Sequence, residues 1–541
     1  MRYIKSIIAT AVLGLGLVSC TGEFEEINTN PNKNTVGTVM AYNLFEPIFY
    51  STGKWTVSVT YTYGGPISGQ FADTGHYTST AYLHQWDISE SHYQSLWDSP
   101  ARYGYDCYHM IQTAKKYDDT YYEALGYIFK VYHLANLTSL FGEIPYTEAY
   151  RGPSEGLKTP KFESQQDVFS YLIADLEYAI SLLKEDPIPS SKGLDTMFND
   201  NCQSWIKFAN SMKLRLLNRI SNADSNAWTT IQAMLDNPTE YPIFTSVEEQ
   251  AAIPYTGADP YQSHFYTGNV TEDSFTSYRL SREVVDMMYD AQKGYTDPRL
   301  HAIGIRKGSK EWIGTVPGTS DSELKEVNGK ATAHLNNAAL NRNNASSRLM
   351  EYSEILFIIA EGVQKGKLTM PKNAKYYYEE AIKASVKTWA EFAAYNDLKV
   401  SDENVSFNDD AIASLLKSNL ASYDAVAAGT SPYSSEEELI LSQKWLSLFW
   451  IGFEPYHEWR RNEYPIITIQ SGVKNDYEMP TRIGYPMTVR TSNAANMKEA
   501  LDRMGAKSND MHTALWWSYK ATNKTSRPEH IYKKPTANPE S

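Results

Sequence analysis

Cys20 is the residue whose neighbours narrow its chemistry furthest. It follows Leu17-Val18-Ser19, the small and aliphatic approach that a bacterial lipoprotein signal peptidase reads. Ahead of that lie a positive start, Arg2 and Lys5, and an apolar run of 12 residues from Ile7 to Val18. Crossing a bilayer takes roughly 20 residues, so residues 1–19 read as a cleaved signal and not as a span. The mature chain is expected to begin at Cys20, diacylated on sulfur and acylated on nitrogen. A single acyl chain anchors reversibly, whereas two or more hold a protein stably on a membrane. Residues 20–40, polar and rich in asparagine (Asn28, Asn30, Asn32, Asn34), then form a lipidated tether.

Elsewhere the residue types that do catalysis are present without the spacing that catalysis needs. There is no G-x-S-x-G elbow, no H-E-x-x-H and no phosphate-cradling loop. The 11 histidines are dispersed, and His84 and His92 have no third ligand at metal spacing. Asp402, Asn404, Ser406 and Asn408 alternate like a calcium loop. Phe407 stands where that loop turns on glycine and Ala413 where a bidentate glutamate belongs, so a solvated turn is the reading. A glycosidase would need two carboxylates facing each other across a sugar. The 64 acidic residues offer no pair set apart by an apolar neighbourhood, and Glu90, Asp98 and Asp106 read as the wet face of a helix. The chain is read as a binding protein and not an enzyme, with no cofactor and no metal.

What remains is aromatic. The sequence holds 40 Tyr and 12 Trp, and 13% of its residues are aromatic. Sugars present C–H faces that pack on such rings, with hydroxyls left for amide, carboxylate and guanidinium partners. The candidates fall in two segments: Trp55, Tyr61, Tyr63, Gln70, Tyr77, Tyr82 and Trp86 in the first, and Tyr261, His264, Tyr266, Tyr278 and Trp312 in the second, where Asn341 and Arg342 are polar partners. Core packing is the competing role for each ring, and Trp97 is assigned to the core. The formal charge is −14, and losing Arg2 and Lys5 with the signal takes it to −14 − 2 = −16. An acidic chain is repelled by nucleic acid and by anionic lipid heads, so the lipid is expected to be its only membrane hold. Cys107 and Cys202 could pair, but two buried thiols are favoured.

These residues need a frame, and the frame is helical. Between 164 and 184, Val168, Tyr171, Leu172, Leu176, Ala179, Ile180 and Leu183 recur at three and four, and the spacing returns in 203–221, 348–362, 373–390 and 436–451. The helices are expected as neighbouring pairs: 88–115 with 120–141, 166–184 with 203–221, 348–365 with 373–394, and 408–420 with 436–451. Pairs of this length resemble tetratricopeptide units, and Ala374, Tyr378 and Ala381 give the small/large alternation that close packing needs. Two segments lack helical period, about 50–87 and 222–345, and read as loop-rich insertions carrying the binding surface.

Several segments resemble the SusD/RagB family of lipoproteins. Leu140-Phe141-Gly142-Glu143-Ile144-Pro145-Tyr146-Thr147-Glu148-Ala149 is similar to its YGDIPYSEA run, and Trp205 to Leu216 to its W-x-KFANSL-x-LR helix. Asp297-Pro298-Arg299-Leu300, Glu354 to Glu361 and Gln443-Lys444-Trp445 match further segments. Glu458 to Pro465 resembles its RRTGYP run, with Asn462-Glu463 in place of Thr-Gly. The acidic run Glu23, Glu25, Glu26 resembles the export tag of Bacteroidetes lipoproteins. The resemblance implies an all-α, SusD-like fold in a single domain over 41–541, with four tetratricopeptide-like helix pairs. It also implies an outer-membrane location facing the exterior and a SusC-like, TonB-dependent transporter as partner. The ligand it implies is an oligosaccharide, with an oligopeptide as the alternative; a pure protein-interaction scaffold is the third reading. Arg215, Arg219, Lys444, Arg460 and Arg461 are expected to hold carboxylates within the frame.

Overall fold

The computed structural model describes residues 39–73, 81–264, 277–306, 311–320, 332–394 and 405–527. Cys20, the signal segment, nearly all of the tether, Tyr77, Tyr266, Asp402 and Asn404 lie outside the described residues.

The chain enters on α1, Ala41–Val59, which runs on through a wide turn at Thr60–Gly64 to Ser68. This corrects the reading of 50–87 as loop over residues 50–68. Phe45, Ile48, Phe49, Thr52, Trp55, Thr56 and Val59 are buried on several sides of α1, and a helix buried around its circumference shows no apolar stripe. Its threonines stay helical by bonding back one turn: Thr52, Thr56 and Thr60 donate to the carbonyls of Ile48, Thr52 and Thr56 at 2.8–2.9 Å.

Around α1 stand the long helices: α2, Glu90–Lys116; α3, Thr120–Phe141; α4, Gln165–Lys184; and α5, Cys202–Ile220. Side-chain caps mark their starts, with Asp119, Ser164 and Asn201 accepting from backbone N–H groups inside α3, α4 and α5. In sequence, α2 packs on α3, α3 on α4 and α4 on α5, so α3 is enclosed and buries residues all round. Cys107 on α2 and Cys202 on α5 are separate buried thiols.

The second half adds α6, Tyr352–Gln364; α7, Ala374–Ala394; α8, Asp409–Lys417; α9, Glu436–Ser447; and α10, Glu454–Asn462. Helices α6 and α7 pair as expected. The fourth expected pair is arranged differently: α8 packs chiefly on α7, and α9 on α6. Ala374, Tyr378 and Ala381 are all buried in the core that these helices share. Asn408, from the calcium-like spacing, caps α8 by accepting from the Ala411 amide at 3.0 Å.

Most of the segments that resemble the family are joined by buried ion pairs and hydrogen bonds. Arg215 clasps Glu354 through Nε and Nη2 at 2.8 and 2.5 Å, Arg219 bonds Glu454, and Arg461 grips both oxygens of Glu361 at 2.7 and 2.6 Å. Lys444 reaches Glu458 at 3.0 Å. Arg299 joins Asp297 at 2.6 Å to the Gln443 amide oxygen at 2.9 Å. Arg460 donates instead to the Ser139 and Thr481 carbonyls at 2.7 and 2.8 Å. Burial would raise the Glu361 carboxyl, but Arg461 and Lys365 hold it well below the usual range.

Short strands tie the insertions to the frame. A four-stranded sheet has the order β1-β3-β5-β4, where β1 is Phe71–Asp73, β3 Tyr278–Leu280, β4 Gly304–Ile305 and β5 His334–Leu335; all its pairs are antiparallel. A second, two-stranded sheet pairs β2, Ala251–Ile253, with β6, Ser347–Met350.

Candidate functional site

The four-stranded sheet is where the two insertions become one structure. Strand β1 comes from the first and β3, β4 and β5 from the second; Phe71 pairs with Leu280, Ala72 with Arg279, and Arg279 with His334. Residues opposite each other across a ladder share a face, so Ala72, Arg279, His334 and Ile305 form one row. The other face is mainly apolar, with buried Asp73 opposite Tyr278, and packs inward. Phe71 lies 5.8 Å from both Tyr278 and Phe449, ring centre to ring centre, and Leu280 and Leu335 are fully buried.

The Arg279 row combines groups that suit a polyol. The Arg279 guanidinium is half-buried and lies 2.6 Å from Nε2 of His334. Burial lowers its proton affinity, and Asp73 opposes that. Ile305 is an exposed apolar side chain at the sheet edge. Next to it, Arg306 covers the Trp312 ring at 5.6 Å while His301 meets the ring edge-on at 5.3 Å.

The rings named from the sequence divide into two groups and a core. Trp55 is buried between Tyr132 and His133, with centroids 6.2 and 5.3 Å away. Tyr61 stacks against Tyr278 at 4.2 Å, and both are buried. Trp86 is buried and donates its indole N–H to the Ile67 carbonyl at 3.1 Å. Gln70, also buried, donates to the Trp445 carbonyl at 3.1 Å. The exposed platform expected of Trp55, Tyr61, Trp86, Tyr278 and Trp312 is therefore corrected: all five are buried, Trp55 and Tyr61 on α1 and its continuation, and Trp86 and Trp312 in irregular backbone whose gaps they fill. Gly304 shows how, since a Cβ there would come within 3.1 Å of the Trp312 ring. Tyr63 and Tyr82 are half-buried, and Tyr63 meets His92 edge-on at 6.0 Å.

Tyr261 and His264 lie beside α1, whereas Asn341 bonds within its own turn and Arg342 covers the Phe392 ring of α7 at 5.5 Å. Tyr261 donates to Glu46 at 2.5 Å and lies 5.0 Å from the Tyr50 ring. His264 is pushed down to about 4 by burial and by Lys54. The loop after Asn341 approaches the same segment through Asn343, which donates to the Gly257 carbonyl at 3.0 Å. Asn341 bonds Asn337 at 2.9 Å, and Arg342 donates to the Ala339 carbonyl at 3.1 Å. Sequence reasoning missed Arg279, His334, Ile305 and Arg306. Strands of two or three residues are too short to show alternation, so no local signal placed them.

A helical frame with buried ion pairs, carrying a sheet face built from two distant insertions and centred on Arg279, defines a class of binding scaffold. Over residues 31–486 the chain matches the family model SusD-like_2, described as "Starch-binding associating with outer membrane", and it belongs to that family. Solved structures share the fold. A SusD homolog from Bacteroides fragilis is 22% identical, with a TM-score of 0.69 over 88% of this chain and 99% of that one. A chitin-binding SusD homolog from Flavobacterium johnsoniae is 20% identical, with a TM-score of 0.68 over 88% and 98%. A SusD/RagB family protein from Bacteroides thetaiotaomicron is 18% identical, with a TM-score of 0.70 over 91% and 100%. No curated protein sequence matches the chain. The family is that of nutrient-binding proteins associated with the outer membrane. Among the described residues no helix is long and apolar enough to cross a membrane.

Proposed function

We propose that this protein is a lipid-anchored lipoprotein on the outer face of the outer membrane that captures oligosaccharides and passes them to a SusC-like, TonB-dependent transporter. The observation that carries this reading is the pairing of β1 with β3, which brings both insertions to one face. The half-buried Arg279 guanidinium donates to sugar hydroxyls, with the buried His334 ring against it, and the exposed Ile305 offers a C–H surface. A family described by starch, and a similar structure described by chitin, favour saccharide over peptide. The anchor is Cys20, and the helix pairs form a tetratricopeptide-like frame. A hydrogen bond to the Arg279 guanidinium of about 1.5–3 kcal/mol, a few neutral hydrogen bonds of about 1 kcal/mol each and the apolar contact at Ile305 give about 5–8 kcal/mol. That is a dissociation constant between about a hundred micromolar and a few micromolar, weak enough for cargo to be handed on.

The test uses the soluble Cys20→Ala form against a glycan array and a peptide library in parallel. Saccharides should bind, and Arg279→Ala should weaken them about tenfold, or about 1.4 kcal/mol, with the melting temperature unchanged. Binding of peptides alone would overturn the ligand class. Native co-purification of the anchored form should bring down a β-rich transporter in near-equal amount.

A further inference from the structure

A second aromatic surface lies on the helical side, away from the insertions. Eight large apolar side chains are exposed among the described residues, and three of them, Tyr105, Tyr171 and Tyr178, cluster on α2 and α4. Between these helices is a cavity of about 230 Å³ lined by Tyr108, Tyr146, Tyr150 and Tyr171, with Lys130 and Asp175 also lining it. Tyr171 stacks on Tyr146 at 5.6 Å, while Tyr150 lies 5.9 Å from Tyr105 and 5.8 Å from Tyr108. The rings thus form two walls.

Tyr150 occupies the left-handed region, with φ 69°. A bulky residue holds that backbone conformation only where its surroundings impose it. Gly104 on α2 makes the room, since a Cβ there would stand 2.2 Å from the Tyr150 hydroxyl. Inside, Lys130 meets Asp175 at 2.7 Å, and the Tyr146 hydroxyl donates to the same carboxylate at 2.5 Å. At the rim, Arg151 faces Glu155 at 3.5 Å. The charges cancel in pairs, so the pocket suits a neutral ligand. The hydroxyls of Tyr105, Tyr108 and Tyr171 make no hydrogen bond among the described residues. Ring faces, open phenol hydroxyls and a recessed neutral ion pair together match a neutral saccharide better than an apolar protein surface, which would leave those hydroxyls and the ion pair without partners.

We propose that this pocket is a second saccharide-binding site, independent of the Arg279 face. The proposal rests on the saccharide reading above. Maltohexaose and chitohexaose are titrated against the soluble Cys20→Ala form, against its Arg279→Ala variant and against its Tyr105→Ala/Tyr171→Ala variant. At least one oligosaccharide should show two binding phases. The tyrosine pair should weaken one phase at least fivefold and Arg279→Ala the other, with melting temperatures unchanged. Tyr105→Phe/Tyr171→Phe, which keeps the rings, should retain most of the affinity, and Gly104→Ala, which displaces Tyr150, should not. If the tyrosine variant binds like its parent while Arg279→Ala loses binding, the second site is wrong and the first stands. If only the tyrosine variant loses binding, the second site holds and the insertion face falls. Failure of both oligosaccharides on every form overturns both. Loss of the co-purifying transporter with saccharide binding intact would make the patch a protein interface and sink the proposal.

Discussion

Trp86 and Trp312, in irregular segments, are each 4% exposed, whereas Tyr105 and Tyr171, on regular helices, are 38% and 37% exposed. The difference follows from what each backbone supplies for itself. Helix α4 fills its core side with Val168, Leu172, Leu176, Ala179, Ile180 and Leu183, so Tyr171, which the spacing assigns to that stripe, and Tyr178 are left outside. Around Trp86 and Trp312 the insertions have no helical stripe, and their strands are only two to four residues long. There the large rings are themselves the packing, each pinned by a polar handle or a neighbouring cation. An aromatic residue in a polar, loop-like stretch is thus a poor sign of an exposed platform, and one standing off a strong helical stripe is a better one.

The largest expected effect separates the two sets. Trp312→Ala or Trp86→Ala should cost about 3–5 kcal/mol of stability, as removing a fully packed ring does, and urea unfolding would show it as a lower midpoint. A midpoint that stays in place, with saccharide binding reduced, would return these rings to the ligand surface and break the contrast.

Some of this was legible before any coordinates. The spacing read over 164–184 and 203–221 became α4 and α5 almost to the residue. Helix α4 buries one face, and α5, buried nearly all round, keeps its large apolar residues at three and four among polar ones held by buried ion pairs and hydrogen bonds. The charged residues of the family segments were legible as frame because arginines among apolar helices need carboxylates, and Arg215 with Glu354 and Arg461 with Glu361 supply them. Helix α1 was not legible, since burial on many sides erased its period. Nor was the sheet, whose pairing of Phe71 with Leu280 spans more than two hundred residues and leaves no local trace. The membership of Arg279 and His334 in one row depends on that register, so the site was visible as two segments and not as a face.

Buried carboxylates repeat the contrast in charge. In the frame, Glu361 has Arg461 and Lys365 against it. In the second insertion, burial pushes Glu283 up to about 7, helped by Asp286, with Arg282 3.9 Å away as the opposing charge. Its Oε2 has no hydrogen-bond partner among the described residues. A carboxyl whose folded value lies above its unfolded value of 4.5 holds its proton better in the folded state. Stability should therefore fall as pH rises from about 4.5 to 7 and level off above, by roughly 3 kcal/mol. Glu283→Gln should leave stability at pH 4.5 nearly unchanged and recover about 2–3 kcal/mol at pH 8. Parallel curves for parent and variant would mean that Glu283 is ionised in the folded protein, and that the insertion satisfies its charges as well as the frame does.

The smallest effect sharpens the contrast most finely, because it concerns an exposed ring outside the proposed second site. Tyr178 stands on α4 seven residues, about two turns, beyond Tyr171 and does not line that pocket. It is 42% exposed, meets Tyr127 edge-on at 5.2 Å and lies under Lys115 at 5.7 Å. An exposed cation–ring contact is worth about 0.5–1 kcal/mol, and surface substitutions otherwise stay within about 0.5 kcal/mol. Tyr178→Ala should thus change stability by less than about 1 kcal/mol and leave oligosaccharide affinity within about twofold, or about 0.4 kcal/mol. Tyr105→Ala/Tyr171→Ala should be equally mild in stability yet weaken one binding phase, so the two variants separate exposure from ligand contact. If Tyr178→Ala costs as much as Trp312→Ala, exposure does not distinguish the two sets. If it weakens saccharide as much as the pocket pair does, the binding surface runs along the whole of α4 and is not confined to the cavity beside Tyr150.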